Sequence, residues 1–139
     1  MLIILLERLK KMRLKNGKLS EADEQTLIFQ WAAYIPELRW MYAVPNGGSR
    51  NVREAVNLKR QGVKKGVSDI ALPLPKGKYH GLFLELKVGK NKPSEYQKEF
   101  ISYAKENGYA AYVCYGHQEA IKVINEYLKL KQGGEMSVY

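Results

Sequence analysis

The chain has 139 residues, of which 45% are hydrophobic, and a formal net charge of +9. This length and composition predict one globular domain with a substantial core and exclude general disorder. The single cysteine excludes a disulfide framework and a multi-cysteine metal site, and no apolar run approaches the roughly 20 residues needed to span a bilayer. We therefore expect a cytoplasmic protein without a membrane partner.

The predicted elements alternate between helices and strands. Ser20 is predicted to cap a helix, with Asp23 three residues further on as in a capping box. The elements in chain order are a basic helix within 1–19, a helix over 21–35, a strand over 38–44, a helix over 49–61, strands over 67–72 and 81–88, a helix between Ser94 and Gly108, a strand over 109–115 and a helix over 118–131. This order predicts an α/β fold in which strands of a meander are followed by a strand reached through a helical crossover.

Three segments make up the expected domain organisation. Residues 1–19 form a basic helix that could contact DNA, a membrane surface or a second subunit. Residues 20–131 form the globular domain, and residues 132–139 form a flexible tail.

The positive charge is concentrated in two stretches. Residues 1–19 and residues 50–65 each carry +5, whereas residues 20–49 carry −3. A polyanion is the obvious partner, because each neutralised phosphate releases counterions. The alternative is a solvated helix face that only maintains solubility. Within the helix predicted over 49–61, Val52, Val56 and Leu58 are the expected apolar contacts.

Glu85 and Lys87 lie in an otherwise apolar strand and, two residues apart, point to the same face of it. Burial of an ionised group without a partner is costly, so two such groups in one central strand need an explanation. They could form a mutual ion pair or find partners on a neighbouring strand. A catalytic role is the other interpretation.

Asp69 strengthens the catalytic interpretation. It lies in the preceding apolar strand, and the short connection predicts antiparallel pairing that can bring Asp69 and Glu85 side by side. Two adjacent carboxylates repel unless a proton or a cation lies between them, and a hard cation such as Mg²⁺ suits oxygen ligands. Asp69 could instead cap a backbone amide at the strand end.

Other polar residues have simpler interpretations. Glu21 lies in the first turn of a helix, where the helix dipole favours any carboxylate, but Gln25 shares its face one turn later. Gln97 is expected on a helix surface. His80 and His117 are interpreted as structural or exposed, and Cys114 as a buried core thiol.

The ordered motifs resemble a known family. Residues 66–69, Glu85 with Lys87, and residues 94–97 resemble the PD-(D/E)xK nuclease superfamily. Together with residues 20–25, the turn at 45–48 and the segment 108–116, they are similar to the VRR-NUC (virus-type replication-repair nuclease) domain, specifically its small stand-alone phage and bacterial members. Ser68 stands where the family's Pro-Asp dipeptide has proline.

The resemblance implies a restriction-endonuclease-like core with a mixed four-stranded sheet flanked by helices, and it implies a metal site. The implied ligands of Mg²⁺ or Mn²⁺ are Asp69, Glu85 and the carbonyl of Leu86, with Glu21 completing the site directly or through water. Glu24 is the alternative to Glu21, which is favoured because its spacing to Gln25 matches the family's Glu-x-x-x-Gln. Lys87 would be the catalytic lysine and Gln97 a supporting or substrate-orienting group.

The function implied is metal-dependent, structure-selective cleavage of DNA that leaves 5′-phosphate and 3′-hydroxyl ends. A Holliday junction resolvase acting as a homodimer is favoured, in a bacterial cell or phage-infected host, with the N-terminal helix as a dimer element. The alternatives are a flap or nicking nuclease and a non-catalytic DNA-binding module. The residues expected to hold the DNA backbone are Asn46, Arg50, Arg53, Lys59, Arg60, Lys64 and Lys65.

Overall fold

The computed structural model describes residues 3, 4, 7, 17–45 and 51–137 of the chain. The elements within these ranges are α1 (Glu21–Ala32), a 3₁₀ helix (Pro36–Leu38), β1 (Tyr42–Ala43), α2 (Val52–Arg60), β2 (Ile70–Leu72), β3 (Leu82–Lys87), α3 (Glu95–Glu106), β4 (Ala110–Tyr115) and α4 (Gly116–Leu128). The predicted α/β class is confirmed. Most of the predicted N-terminal helix lies outside the described residues.

The four strands form one mixed sheet in the order β1-β2-β3-β4. The first three strands pair antiparallel as a meander, and β4 pairs parallel with β3 after the crossover through α3. Ile70 lies opposite Leu84, so Asp69, the residue before β2, comes opposite Glu85. The predicted meander and crossover are therefore present, and they bring the two carboxylates into register.

Helices cover both faces of the sheet. The even-numbered residues of β3, such as Leu84, face a core that includes Ile28 of α1 and Ile124 of α4. The odd-numbered residues face α3, where the rings of Phe83 and Phe100 meet edge to face at 5.1 Å between centroids. Glu85 and Lys87 lie on the α3 side, because side chains alternate along a strand.

The prediction of a strand over 38–44 is wrong for the first half of that range. Pro36 begins a 3₁₀ helix there, and only Tyr42–Ala43 joins the sheet. Leu38 and Met41 are both buried, and their three-residue spacing suits a 3₁₀ turn rather than the alternation of a strand. The strand predicted over 67–72 is likewise shortened to its last three residues, and α1 ends at Ala32.

The helix predicted over 49–61 lies at the surface over its described residues. Its described part, α2, has no buried residue, and Val52 and Val56 are 81% and 51% exposed. The expectation that these valines pack inward is therefore wrong. The helix begins instead on a local signal, because the side chain of Asn51 accepts a hydrogen bond from the backbone of Glu54 at 2.8 Å.

The C-terminal segment also differs from expectation. Residues 134–137, predicted as part of a loosely held tail, pack against the domain. Met136 is buried, its backbone N–H donates to the Tyr79 hydroxyl, and Glu135 pairs with Lys78. The last helix begins at Gly116, two residues earlier than predicted, and ends at Leu128.

Candidate active site

The pairing of β2 with β3 brings Asp69 and Glu85 together at one end of the sheet. Glu85 is 1% exposed and lies 3.3 Å from the Lys87 ammonium group, measured from Oε1 to Nζ. Asp69 accepts a hydrogen bond from the backbone N–H of Leu86 at 2.7 Å. Asp69 is therefore bound to the strand that carries Glu85 and Lys87, and the three side chains have fixed relative positions.

The electrostatics of this pair favour a shared proton or cation. Burial, and next the Asp69 carboxylate, raises the pKa of Glu85 from 4.5 to about 7. Burial also raises the pKa of Asp69, although the Leu86 N–H and Lys87 act against this rise. One oxygen of Glu85, Oε2, is buried and receives no hydrogen bond. An unsatisfied carboxylate oxygen beside a second carboxylate is what a cation or a proton would stabilise.

Gln97 connects α3 to this site. Its side-chain amide donates from Nε2 to Glu85 Oε1 at 2.6 Å, and its Oε1 accepts from the backbone N–H of Ser94 at 2.8 Å. The Ser94 hydroxyl in turn accepts from the Gln97 backbone, which completes a capping box. Gln97 is therefore not the ordinary surface glutamine expected from the helix pattern, because one side chain both caps α3 and holds Glu85.

Glu21 and Glu24, one turn apart on α1, have different surroundings. Burial raises the pKa of Glu21, with a further rise from Asp69 and an opposing effect of Lys87, so Glu21 lies within electrostatic reach of the paired carboxylates. Glu24 instead accepts a 2.7 Å hydrogen bond from the backbone N–H of His117, and the same carboxylate oxygen contacts Nδ1 of the His117 ring. The Glu24 carboxylate therefore binds the N-terminal turn of α4.

The carboxylate oxygens at this site are suitable ligands for a hard divalent cation, but two carboxylates alone do not complete its coordination. Asp69 and Glu85 supply paired carboxylate oxygens, and Glu85 Oε2 is without a donor. Over the ranges that the structure describes, however, no three His, Cys, Asp or Glu side chains converge closely enough to hold a metal ion. Further ligands would therefore come from a backbone carbonyl, from water, or from Glu21 after a movement of its side chain.

A basic surface precedes this site in the chain. We define the basic segment as residues 52–65, which comprise α2 and the turn that leads to Gly66. Its expected DNA-binding residues are all exposed, namely Arg53, Lys59, Arg60, Lys64 and Lys65. Asn46 and Arg50, the other two expected contacts, lie outside the described residues. The segment ends four residues before Asp69, so a strongly basic surface directly precedes the carboxylate pair in the chain.

Comparison of the chain with known proteins agrees with the order of its motifs and with their geometry. The family model of the VRR-NUC domain matches residues 15–118, which include Glu21, both carboxylate strands and Gln97. The chain belongs to the VRR-NUC family. A solved structure of a VRR_NUC domain protein is 30% identical, superimposes with a TM-score of 0.74, and is similar over 86% of this chain and 98% of that one. No curated protein matches the chain.

Membership in the VRR-NUC family makes the chain a nuclease of the PD-(D/E)xK type, with DNA as the implied substrate. Nucleases of this kind typically depend on a metal ion. In the described part of the chain, no helix is long and apolar enough to cross a membrane.

The sequence did not reveal two of the interactions at the site. The Glu24–His117 pair joins residues 93 positions apart, and neither residue belongs to a motif that would link them. The contact of Gln97 with Glu85 could have been inferred only from the family resemblance. Cys114 is confirmed as a core thiol, with 0% exposure and a pKa raised to about 12 by burial.

Proposed function

We propose that this VRR-NUC protein is a metal-dependent, structure-selective DNA endonuclease, and that a four-way junction cut by a homodimer is its favoured substrate. The observation that supports catalysis most directly is the paired carboxylates, with Lys87 3.3 Å from Glu85 and the other Glu85 oxygen unsatisfied. A buried glutamate beside a half-buried aspartate, both with raised pKa values, costs stability, and a nuclease site is a physical reason to retain them.

The metal ligands we propose are Asp69, Glu85, the Leu86 carbonyl and, directly or through water, Glu21. Bound there, Mg²⁺ or Mn²⁺ supplies Lewis-acid stabilisation of the charge that develops during phosphodiester hydrolysis. Gln97 keeps Glu85 oriented through its 2.6 Å hydrogen bond. Lys87, 13% exposed, presents its ammonium group beside these carboxylates and would orient the attacking water or offset charge on the phosphate.

The basic segment would hold the DNA backbone. Its lysines and arginines are exposed, and contacts to phosphates position a duplex without reading its sequence. Selection by the shape of branched DNA is therefore expected rather than selection by base sequence. Asn46 and Arg50 are proposed to extend this contact surface.

Symmetric cutting of a four-way junction requires two active sites, and a homodimer supplies them. The N-terminal residues are the proposed dimer element. Among the described ones, Ile3 is 72% exposed, as expected for an apolar side chain that a second subunit could cover. Leu2, Leu5 and Leu6, which complete this apolar sequence, lie outside the described residues.

A panel of substrates tests the proposal. The protein is incubated with a synthetic four-way junction, a 5′ flap and a linear duplex, each with Mg²⁺, Mn²⁺ or a chelator. Paired symmetric nicks that leave 5′-phosphate ends and disappear with chelator would support a resolvase. Cuts confined to the flap would support the flap nuclease instead, and binding without cutting would support a non-catalytic DNA-binding module.

Sedimentation analysis of the same preparation tests the dimer. A homodimer that becomes monomeric after Ile3→Glu would support the N-terminal element, because a charge at a buried apolar contact is costly. A monomer that still cuts the junction symmetrically would contradict it.

A further inference from the structure

We propose that Tyr96 is a stacking site for an unpaired base of the DNA strand that enters the candidate active site. This inference rests on the proposed nuclease function and specifies one feature of its substrates, namely a base next to the cleavage point that is free to stack, as at a flap, a gap or the open centre of a junction. It is carried by three observations, namely the contact that fixes Tyr96, the cation above its ring, and its position beside Gln97.

The backbone holds Tyr96 and the basic segment in close contact. Gly66 is buried with a φ of +95°, and a Cβ atom there would lie 2.5 Å from the carbonyl oxygen of Tyr96. Only glycine fits such an approach in that conformation. The end of the basic segment is therefore pressed against the first turn of α3, and this contact does not depend on flexible side chains.

This backbone contact places a cation on an exposed aromatic ring. The Lys65 ammonium group lies over the Tyr96 ring, 4.5 Å from its centroid, and Tyr96 remains 53% exposed. In the free protein this is a cation–π contact, which limits the freedom of the ring. A solvent-exposed ring that is already oriented loses little further freedom when a base stacks on it.

The Lys65–Tyr96 pair adjoins the carboxylates from two directions. Along the chain, Gly66 leads within three residues to Asp69, whereas on α3 the residue after Tyr96 is Gln97, which is bonded to Glu85. A strand whose phosphate lies at the carboxylates would therefore have a neighbouring nucleotide within reach of this ring.

The combination of an exposed ring and adjacent cations matches the chemistry of a single strand. Proteins bind unpaired nucleic acid by stacking bases on aromatic rings while cations follow the backbone. Bases within a duplex are already stacked on one another and offer no free face to a side chain. Tyr96 would therefore favour a flap, a gap or the open centre of a junction over continuous duplex, while the basic segment would attract all of them.

Binding measurements in chelator test this proposal without any cleavage. The full chain is titrated with a 5′ flap that carries 2-aminopurine as its first unpaired base, and with a matched continuous duplex. We expect the unmodified protein to quench the 2-aminopurine fluorescence. Tyr96→Ala should remove the quenching and weaken flap binding at least about fivefold, with duplex binding changed less than about twofold.

Two matched variants separate stacking from other effects. Tyr96→Phe keeps the ring and should retain both the quenching and the flap affinity. Tyr103 lies on the same helix and is 63% exposed, so Tyr103→Ala removes an equivalent ring farther from the Gly66 contact and should resemble the unmodified protein. The thermal unfolding of all three variants shows whether α3 remains folded.

Several outcomes would overturn the stacking site. These are equal weakening of flap and duplex binding in Tyr96→Ala, a Tyr96→Phe variant that behaves like Tyr96→Ala, or the same loss in Tyr103→Ala. Failure of the nuclease proposal has a different signature, because the unmodified protein would then bind these DNAs and cut none of them with Mg²⁺ or Mn²⁺. Conversely, a Tyr96→Ala protein that binds and cuts the flap normally removes the stacking site and leaves the nuclease intact.

Discussion

The carboxylate site and the basic segment adjoin each other along the chain but are built in opposite ways. Glu85 is 1% exposed, and its Oε1 lies within 3.3 Å of both Gln97 and Lys87. The basic segment, by contrast, includes a helix with no buried residue at all. A side chain in the first region acts through position and burial, whereas one in the second acts through charge. Substitutions in the two regions should therefore alter different measurable quantities.

The largest expected effect is the loss of cleavage in Glu85→Gln. Glutamine has nearly the same shape but cannot carry the negative charge proposed to hold the metal ion, so the cleavage rate should fall at least about 100-fold. Junction affinity, measured in chelator, should change little because the basic segment is intact. Cleavage at the original rate would show that Glu85 is not part of the active site.

The next expected effect distinguishes two glutamates on α1. Glu21→Ala should reduce cleavage roughly tenfold or more with little change in stability, because Glu21 is proposed to complete the metal site. Glu24→Ala should instead lower the free energy of unfolding by about 1–3 kcal/mol, since it leaves the backbone N–H of the buried His117 without its acceptor. Urea unfolding and single-turnover cleavage measure the two effects.

The opposite pattern would exchange the roles of these residues. If Glu24→Ala abolished cleavage at unchanged stability while Glu21→Ala cut normally, Glu24 would be the metal ligand. The contact between Glu24 and His117 would then matter less than metal binding.

The basic segment should respond through affinity and salt dependence. The double variant Arg53→Ala/Arg60→Ala removes two exposed cations, so junction binding should weaken and the slope of log K against log salt should fall by about 2. The cleavage rate at saturating DNA should remain near that of the unmodified protein. Binding isotherms at several salt concentrations provide the measurement.

A matched control removes the same amount of charge elsewhere. Lys122 lies on α4 and Lys129 caps its C-terminus, and both are exposed and outside the basic segment. Lys122→Ala/Lys129→Ala should leave the salt slope almost unchanged. An equal reduction in both double variants would mean that only net charge matters and that the basic segment is not a specific contact surface.

The smallest expected effect is a pH dependence of stability. Folding raises the pKa of Glu85 from 4.5 to about 7, so the folded protein holds this proton more tightly than the unfolded chain does. This contribution to stability is fully present below pH 4.5 and is lost as the pH rises to about 7. Thermal unfolding in chelator should therefore show declining stability over that window, and Glu85→Gln should show a shallower decline.

Added Mg²⁺ sharpens this measurement. Metal ions compete with protons for carboxylates, so stabilisation by Mg²⁺ should increase as the pH rises through about 7. Stabilisation that is the same at both ends of the window would contradict a metal site at Asp69 and Glu85.

Local chemistry explains which parts of the fold were predictable. Side-chain oxygens of Ser20 and Ser94 cap α1 and α3 through neighbours three residues away, and such signals are complete within a short sequence. The region 38–44 was less predictable because the burial of Leu38 and Met41 depends on the core beneath them. The valines of α2 were misjudged for the same reason, since apolar spacing predicts a face but not whether anything covers it.

The sequence by itself determined the α/β order, the shared face of Glu85 and Lys87, and the concentration of positive charge before Asp69. These properties follow from the alternation of side chains along a strand and from the composition of short segments, both of which are local. Tertiary structure alone decided that Glu24 binds His117, that Gln97 reaches Glu85, and that Gly66 presses against Tyr96. Each of these contacts joins residues from different elements, so it exists only once the helices and strands have packed together.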